Sequence, residues 1–395
     1  VLKKYMNSDD AIRLNYASQY AGIANYWKNR QGMIDALTKF KTAESKAKNE
    51  SKFNKWAAKK GNSDYKDVIS DINNYYELTN DKARHDNYLR MVFRGSKFAT
   101  ISRGLGKVLS EYGGNRGTID QAYMAMEGFL QTSDIDLEKE MLKEMLKLYI
   151  AKGGNTLPEI LKNAYGSVID IDDYLDQIYD LSIFTSESHL RAFLSIANNT
   201  PIENLIENDP LMILSNKLIA HYFSTDTKIE EAEDKFERAY RMLVDGMRKS
   251  GLSPVIYPDA NSTLRLSYGK VSPLPKDISN DAAENYYTTL KGTVNKFIED
   301  DPEFDLPQGL IDLYNKKDFG PYADEDGYMP VNFLTNNDIT GGNSGSPVLN
   351  GKGELIGLAF DGNIEAMAGD VIFDKKLQKT INVDIRYVLF LIDKY

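Results

Sequence analysis

Apolar residues recur at helical spacing through the first part of the chain and in short alternating runs through the rest. Leu137, Met141, Leu142, Met145 and Tyr149 fall on one face of a helix, and Gly153 marks its end. Ala232, Phe236, Ala239, Leu243 and Met247 repeat the pattern over 229–249, with Gly251 as the stop. Ser8-Asp9-Asp10 offers an N-cap to a long segment that the pattern carries to about Gly32. The Lys- and Glu-rich stretch 42–60 reads as an outer helix face or a connection between helices. No fixed repeat period indicates a solenoid.

The pattern changes near Gly251. Val255-Ile256-Tyr257, Thr263-Leu264-Arg265-Leu266-Ser267-Tyr268, Val331-Asn332-Phe333-Leu334, Pro347-Val348-Leu349 and the run Leu355 to Phe360 are strand-like, with Gly, Pro, Asn and Asp between them. A helical insert is expected over about 281–300, and Asp384 caps a last helix through Ile385, Val388, Leu389 and Ile392. The expected fold class is α+β. An all-helical domain over 1–252 precedes a small antiparallel β domain over 253–395 with a C-terminal helix.

A chain of 395 residues exceeds one ordinary core, which also argues for two domains. Hydrophobic residues at 42% and charged residues at 27% suit a folded chain and exclude wholesale disorder. The net charge of −10, with both signs interspersed, argues against a general nucleic-acid partner. With no cysteine there are no disulfides, no thiol catalysis and no Cys-zinc site; no two histidines stand at i, i+4, so no metal and no cofactor are expected. No apolar run approaches the roughly 20 residues of a membrane span. The chain opens Val1-Leu2-Lys3-Lys4, without initiator Met or signal peptide, and is expected to be a piece of something longer.

The chemistry concentrates at Thr340-Gly341-Gly342-Asn343-Ser344-Gly345-Ser346-Pro347-Val348. An acyl-transfer serine needs an exposed hydroxyl, a base and N–H donors facing the developing oxyanion. Glycines around Ser344 permit a tight turn that aims the N–H groups of Gly342 and Ser344 into one hole. The loop is not a lipase-type elbow, because Gly342-x-Ser344-x-Ser346 lacks the last Gly. It is not a phosphate loop, because no Gly-Lys-Ser/Thr follows. On its own residues it reads equally as a polar hairpin turn.

Context favours the catalytic reading. Gly353-Glu354-Leu355 through Asp361-Gly362 form a turn and a strand, Gly369 to Phe373 is expected as a returning strand, and a helix follows from Asp384. That order is similar to the second half of a trypsin-like enzyme, where the strand after the nucleophile lines the specificity pocket. Further segments are Ala24-Asn25-Tyr26-Trp27-Lys28-Asn29, Tyr257-Pro258-Asp259-Ala260-Asn261-Ser262-Thr263-Leu264-Arg265, Asn332 to Leu334, and Gly357 to Asn363. Together they make nearly the whole chain resemble the bacterial serine dipeptidyl-peptidases 7 and 11, trypsin-clan enzymes with a helical insertion.

The resemblance implies an α+β fold ending in the second barrel of a chymotrypsin fold. It implies an exopeptidase that releases dipeptides from free peptide N-termini, with the helical domain capping the cleft. Ser344 then matches the nucleophile, Gly342 and Ser344 the oxyanion-hole N–H groups, and Asp361 an acceptor for the substrate's α-ammonium. Asn25 matches a helical-domain residue sharing that task. Gly362 matches the mouth of the first specificity pocket, where Gly goes with hydrophobic and Arg with acidic substrates. The family is typically exported, to the periplasm, the cell surface or beyond. Expected partners are peptides with a free N-terminus; a homodimer is an open alternative.

The residues also permit plainer readings. Asp361 reads as a solvated turn residue. The small polar stripe Asn15, Ser18, Gly22, Asn25 and Asn29 can face a cleft or bridge helices. Asn343 stands where zymogen-activated relatives of trypsin hold an Asp, so activation through a freed N-terminus is not expected. His85, His189 and His221 all sit in helical segments and read as packing or surface residues rather than a base. No catalytic His or Asp is assigned, and the chain by itself is expected to be inactive as a peptidase. Two competing classes remain: a helical and β binding protein with an inert Ser344 loop, and a complete hydrolase that uses one of the three histidines.

Overall fold

The computed structural model describes the chain except for residues 99–100, 103, 106–115, 155, 198–201, 225–226, 254–262, 276–285 and 302. The expected strand Val255-Ile256-Tyr257, the segment Tyr257 to Ser262 and the start of the expected 281–300 insert lie outside the described residues. Packing separates two units, Val1–Ile23 with Phe53–Leu252 and Ala24–Lys52 with Ser253–Tyr395. Residues 24–52 read as part of the helical domain by periodicity, yet they pack with the β unit.

Helices α1 (Leu2–Met6), α2 (Asp10–Lys39), α3 (Thr42–Ala57), α4 (Val68–Gly95), α5 (Arg116–Thr132), α6 (Ile135–Lys152), α7 (Ile171–Leu181), α8 (Glu187–Ala197), α9 (Ile202–Glu207), α10 (Pro210–Tyr222) and α11 (Thr227–Ser250) cover the helical pattern. Aspartates start several of them. Asp9 accepts from the N–H groups of Ala11 and Ile12 at 2.7 and 3.1 Å, and Asp134, Asp170 and Asp209 cap α6, α7 and α10. Each carboxylate satisfies N–H groups that the first turn leaves free and meets the positive end of the helix dipole. Gly32 does not end α2. Interior glycine costs only about 1 kcal/mol relative to alanine, and the helix runs on to Lys39. The Lys- and Glu-rich stretch is the helix α3.

The first unit's core brings together Leu89 and Val92 of α4, Leu142, Leu146 and Tyr149 of α6, Leu175 of α7, and Leu214 and Leu218 of α10. Burying each such side chain stabilises by about 1.5–3 kcal/mol. On α11, Ala232 and Ala239 are buried, while Phe236 stacks on Tyr75 of α4 at 4.2 Å between centroids.

In the second unit, strands β1 (Tyr287–Thr289), β2 (Pro330–Thr335), β3 (Pro347–Leu349), β4 (Leu355–Gly362) and β5 (Thr380–Asp384) form one antiparallel sheet in the order β1-β2-β5-β4-β3. Helices α12 (Leu290–Asn295), α13 (Gln308–Lys316) and α14 (Ile385–Lys394) accompany it. Leu290, Leu310, Phe319, Met329, Val331 and Phe390 make its core, and Asp384 caps α14 as expected.

Two expected strands are corrected. Residues 263–268 are irregular, with Leu264, Leu266 and Tyr268 exposed, and the isolated bridge here joins Val271 to Thr335. Gly369 to Phe373 is a turn, in which the N–H groups of Val371 and Ile372 both return to the oxygen of Ala368. The strand that pairs with β4 is β5. Its buried face is polar: Thr380, Asn382 and Asp384 are buried while Ile381 and Val383 are half-buried. The Asn382 amide donates to the Thr335 hydroxyl at 3.0 Å, and the Thr380 hydroxyl to the oxygen of Asn337 at 2.9 Å. Satisfied in this way, the polar side chains carry little burial penalty.

Candidate active site

Ser344 lies in the turn that leads into β3. Gly342 and Gly345 take φ values of 103° and 84°, the left-handed region that glycine enters without a steric cost. Asn343 closes the turn, since its side-chain amide and its N–H both donate to the oxygen of Thr340, at 2.9 and 3.3 Å. The loop is clamped to β4 by Gly345 N–H to Ala359 oxygen at 2.7 Å and by Ala359 N–H to Ser346 oxygen at 3.0 Å. Among the described residues, the N–H groups of Gly342 and Ser344 take no main-chain acceptor, whereas those of Asn343, Gly345 and Ser346 do. Two N–H groups without a main-chain acceptor among the described residues, that of Ser344 itself and that of Gly342, therefore lie at the exposed serine.

The Ser344 hydroxyl donates to the oxygen of Phe360 at 3.1 Å. The β4–β5 register slips between Ala359 and Asp361, so Phe360 is the extra residue of a bulge. Asp361 follows it, exposed, with one carboxylate oxygen accepting from the N–H of Gly362 at 2.8 Å. The structure thus joins Ser344, Asp361 and Gly362 in one β3–β4 hairpin.

Gly362 has a closer environment than an open pocket mouth would give. A Cβ at this position would lie 2.8 Å from the Ala366 methyl and 3.4 Å from Cε of Met367. The short turn Ile364–Ala368 occupies that side. Asn363 and Gln378 hold the turn in place. Asn363 accepts from the Lys379 N–H at 2.9 Å and donates to the Leu377 oxygen at 2.8 Å. Gln378, with 1% of its surface exposed, donates to the oxygens of Glu365 and Ile372 at 3.0 and 2.8 Å. Its own oxygen accepts from the N–H of Asp374 at 3.1 Å. Lys379 is also buried, donating to the Ser272 hydroxyl at 3.1 Å and the Lys375 oxygen at 3.0 Å. Burial pushes its pKa down, with the charge of Asp374 opposing the shift.

Asn25 is exposed on α2 and belongs to the same unit as Ser344. One turn later the Asn29 amide donates to the Met367 sulfur at 3.1 Å. A Cβ on Gly32 would meet Cδ1 of Ile364 at 2.5 Å and Cγ of Met367 at 2.9 Å. The end of the polar stripe therefore packs on the turn that covers Gly362.

Each histidine is engaged elsewhere. His85 is buried, with Nε2 bonded to the Tyr149 hydroxyl and Nδ1 3.3 Å from Asp86, and its ring lies 4.8 Å from that of His221. His189 Nδ1 lies 2.8 Å from the oxygen of Ser182. All three belong to the first unit and Ser344 to the second. Among the described residues, no group of His, Asp and Glu could hold a metal ion, and no helix is long and apolar enough to cross a membrane.

Sequence reasoning missed Ala366, Met367 and Gln378 and gave Asn363 no role of its own. Their stretch reads as an ordinary loop, and its one signal was the pair of small residues Gly32 and Gly362, between which a turn could fit.

The profile of the family described as Peptidase S46 matches residues 1–395. The chain is 47% identical over 404 residues to a dipeptidyl-peptidase 7 of Capnocytophaga gingivalis, covering 100% of this chain and 55% of the relative. It is 34% identical over 415 residues to an Asp/Glu-specific dipeptidyl-peptidase of the same organism, covering 100% of the chain and 56% of the relative. Among solved structures, Porphyromonas endodontalis DPP11 in complex with the dipeptide Arg-Asp superposes with a TM-score of 0.85 at 27% identity, covering 100% of this chain and 56% of that one. The chain spans about half the length of these relatives.

Proposed function

The chain belongs to the peptidase S46 family, and from that premise we propose that it carries the nucleophile half of a serine exopeptidase releasing dipeptides from free peptide N-termini. The observation that carries this reading is the Ser344 hydroxyl held against Phe360, one residue before Asp361. That contact brings the β4 bulge, and with it the exposed Asp361, beside the serine in the hairpin, which is where a dipeptidyl-peptidase would need an acceptor for the substrate's amine.

In this proposal Ser344 attacks the carbonyl carbon of the second residue, and the amide bond to the third residue breaks with its amine leaving protonated. Water then hydrolyses the acyl-enzyme on Ser344 to release the dipeptide. The N–H groups of Gly342 and Ser344 receive the developing oxyanion. Asp361 meets the α-ammonium through a charge-assisted hydrogen bond, and Asn25 shares that contact. The site around Gly362 receives a bulky apolar side chain, whose transfer from water contributes about 1.5–3 kcal/mol. The five-stranded sheet corresponds to the second barrel of a chymotrypsin fold. The imidazole and carboxylate that activate Ser344 come from the part of the relatives' length that this chain does not cover, and the chain alone is inactive. Export to the periplasm or cell surface and pairing as a homodimer belong to the same proposal.

A serine-directed phosphonate tests it. In the full-length enzyme the label should fall on Ser344, and Ser344→Ala should lower turnover by about three orders of magnitude or more. A variant keeping a tenth of the parent rate would identify another nucleophile. Labelling of this chain alone would instead favour a hydrolase complete without the relatives' extra length.

A further inference from the structure

The turn Ile364–Ala368 sits between two glycines, Gly32 of α2 and Gly362 of β4, neither of which has room for a Cβ on the side it presents to the turn. Met367 reaches both. Its sulfur accepts from the Asn29 amide at 3.1 Å, its Cγ lies 2.9 Å from the Cβ position of Gly32, and its Cε lies 3.4 Å from that of Gly362. The side chain is half-buried, so part of it remains open to a bound molecule.

We propose that Met367 is a specificity-determining residue whose terminal methyl forms one wall of the site that receives the substrate side chain before the cut. The inference deepens the function proposed above and rests on it. Asn29 fixes the sulfur, leaving the methyl as the group turned toward Gly362. A thioether is polarizable and adapts to aliphatic and aromatic partners alike. The main chain beneath it is fixed by Asn363, whose amide donates to the Leu377 oxygen, and by Gln378, whose amide donates to the oxygens of Glu365 in the turn and Ile372 after it. The wall therefore has a fixed base and an adaptable tip, which suits a range of apolar side chains. An acidic side chain against that methyl would lose hydration there without a compensating partner.

The test uses the full-length enzyme and paired dipeptidyl substrates that differ only in the second residue, Leu or Phe. Met367→Ala widens the site, so Leu should lose contact while Phe still fills the space. The Phe:Leu ratio of kcat/KM should rise about threefold or more, within the range that a few methylenes contribute to selectivity. Met367→Val shortens the same side chain with less loss of packing and carries the same expectation if the alanine variant does not fold. Met367→Leu keeps the volume and should leave the ratio within about twofold of the parent.

A ratio unchanged in the shortened variants, with both substrates falling in parallel, would show a merely structural role and overturn the proposal. A full shift in Met367→Leu would place selectivity in the sulfur rather than the wall and overturn it too. A parent enzyme that releases no dipeptides from either substrate would refute the functional reading itself, a result distinct from an active enzyme with an unmoved ratio.

Discussion

The hydroxyl of Ser344 donates a 3.1 Å hydrogen bond to the main-chain oxygen of Phe360. Phe360 can face the serine because it is the bulged residue of β4, where Ala359 pairs with Asn382 and Asp361 already pairs with Ile381. A bulge inserts one residue and re-aims those after it. Without it, Phe360 would pair with Ile381 and Asp361 with Thr380, which would turn Asp361 to the opposite face. One register slip thus relates the proposed nucleophile to the proposed amine acceptor.

Asp361 offers a clean separation of charge from local structure. Its carboxylate both accepts from the Gly362 N–H and stands exposed toward solvent. Asp361→Asn keeps an acceptor oxygen and removes the charge. In the full-length enzyme it should raise KM and erase the preference for a free over an acetylated N-terminus, with little change in thermal stability. Unchanged discrimination would remove Asp361 from the amine site.

Gly362→Arg is the substitution that the family resemblance suggests for changing selectivity toward acidic side chains. The Ala366 methyl, 2.8 Å from the incoming Cβ, belongs to a turn pinned by Asn363 and Gln378 and cannot swing aside as a long side chain would. The single variant should lose cleavage after Leu and also melt earlier, since overpacking typically costs about 1–3 kcal/mol. Adding Ala366→Gly should recover part of the melting temperature and raise cleavage after Asp or Glu relative to Leu. Equal melting of parent and single variant would contradict the packing described here.

Two glycines of α2 should respond in opposite ways to alanine. Gly22 has nothing within 4 Å of its Cβ position, so Gly22→Ala should stabilise by about 1 kcal/mol through helix propensity. Gly32→Ala carries the same propensity gain but places its Cβ 2.5 Å from Cδ1 of Ile364. It should stabilise less or destabilise, with the difference read from denaturant midpoints. Equal gains would mean that the turn does not pack on α2.

His221 sets an acid limit on the first unit. Burial, and then the neighbouring His85, hold the His221 pKa below its usual value, and Lys82 adds to the shift while Asp86 opposes it. His85 in turn faces Tyr149 and Asp86. The folded state favours the neutral ring, so its contribution is complete above the unfolded pKa of about 6.5 and is lost as pH falls through that value toward the depressed one. His221→Gln should flatten the dependence of melting temperature on pH below about 6.5. Glu138 works in the opposite sense: burial raises its pKa, so ionising it costs stability as pH rises through the carboxylate range.

Much of this protein is legible in the chain itself. Apolar periodicity marks the faces of α6 and α11, aspartates mark the starts of α2 and α14, and the glycines around Ser344 mark a turn that few other residues could make. These are local properties, determined by side-chain spacing and backbone sterics within a few residues. The rest depended on partners distant in sequence. Thr263 to Tyr268 alternates like a strand, yet alternation supplies no neighbour to pair with. Thr380, Asn382 and Asp384 hide polar side chains because Asn337, Thr335 and Arg386 satisfy them. Phe360 bulges only against the register of β5, and Gly362 is tight only because Ala366 and Met367 return to it. Hydrogen-bond satisfaction and close packing are properties of pairs, and only the tertiary structure decides which pairs meet.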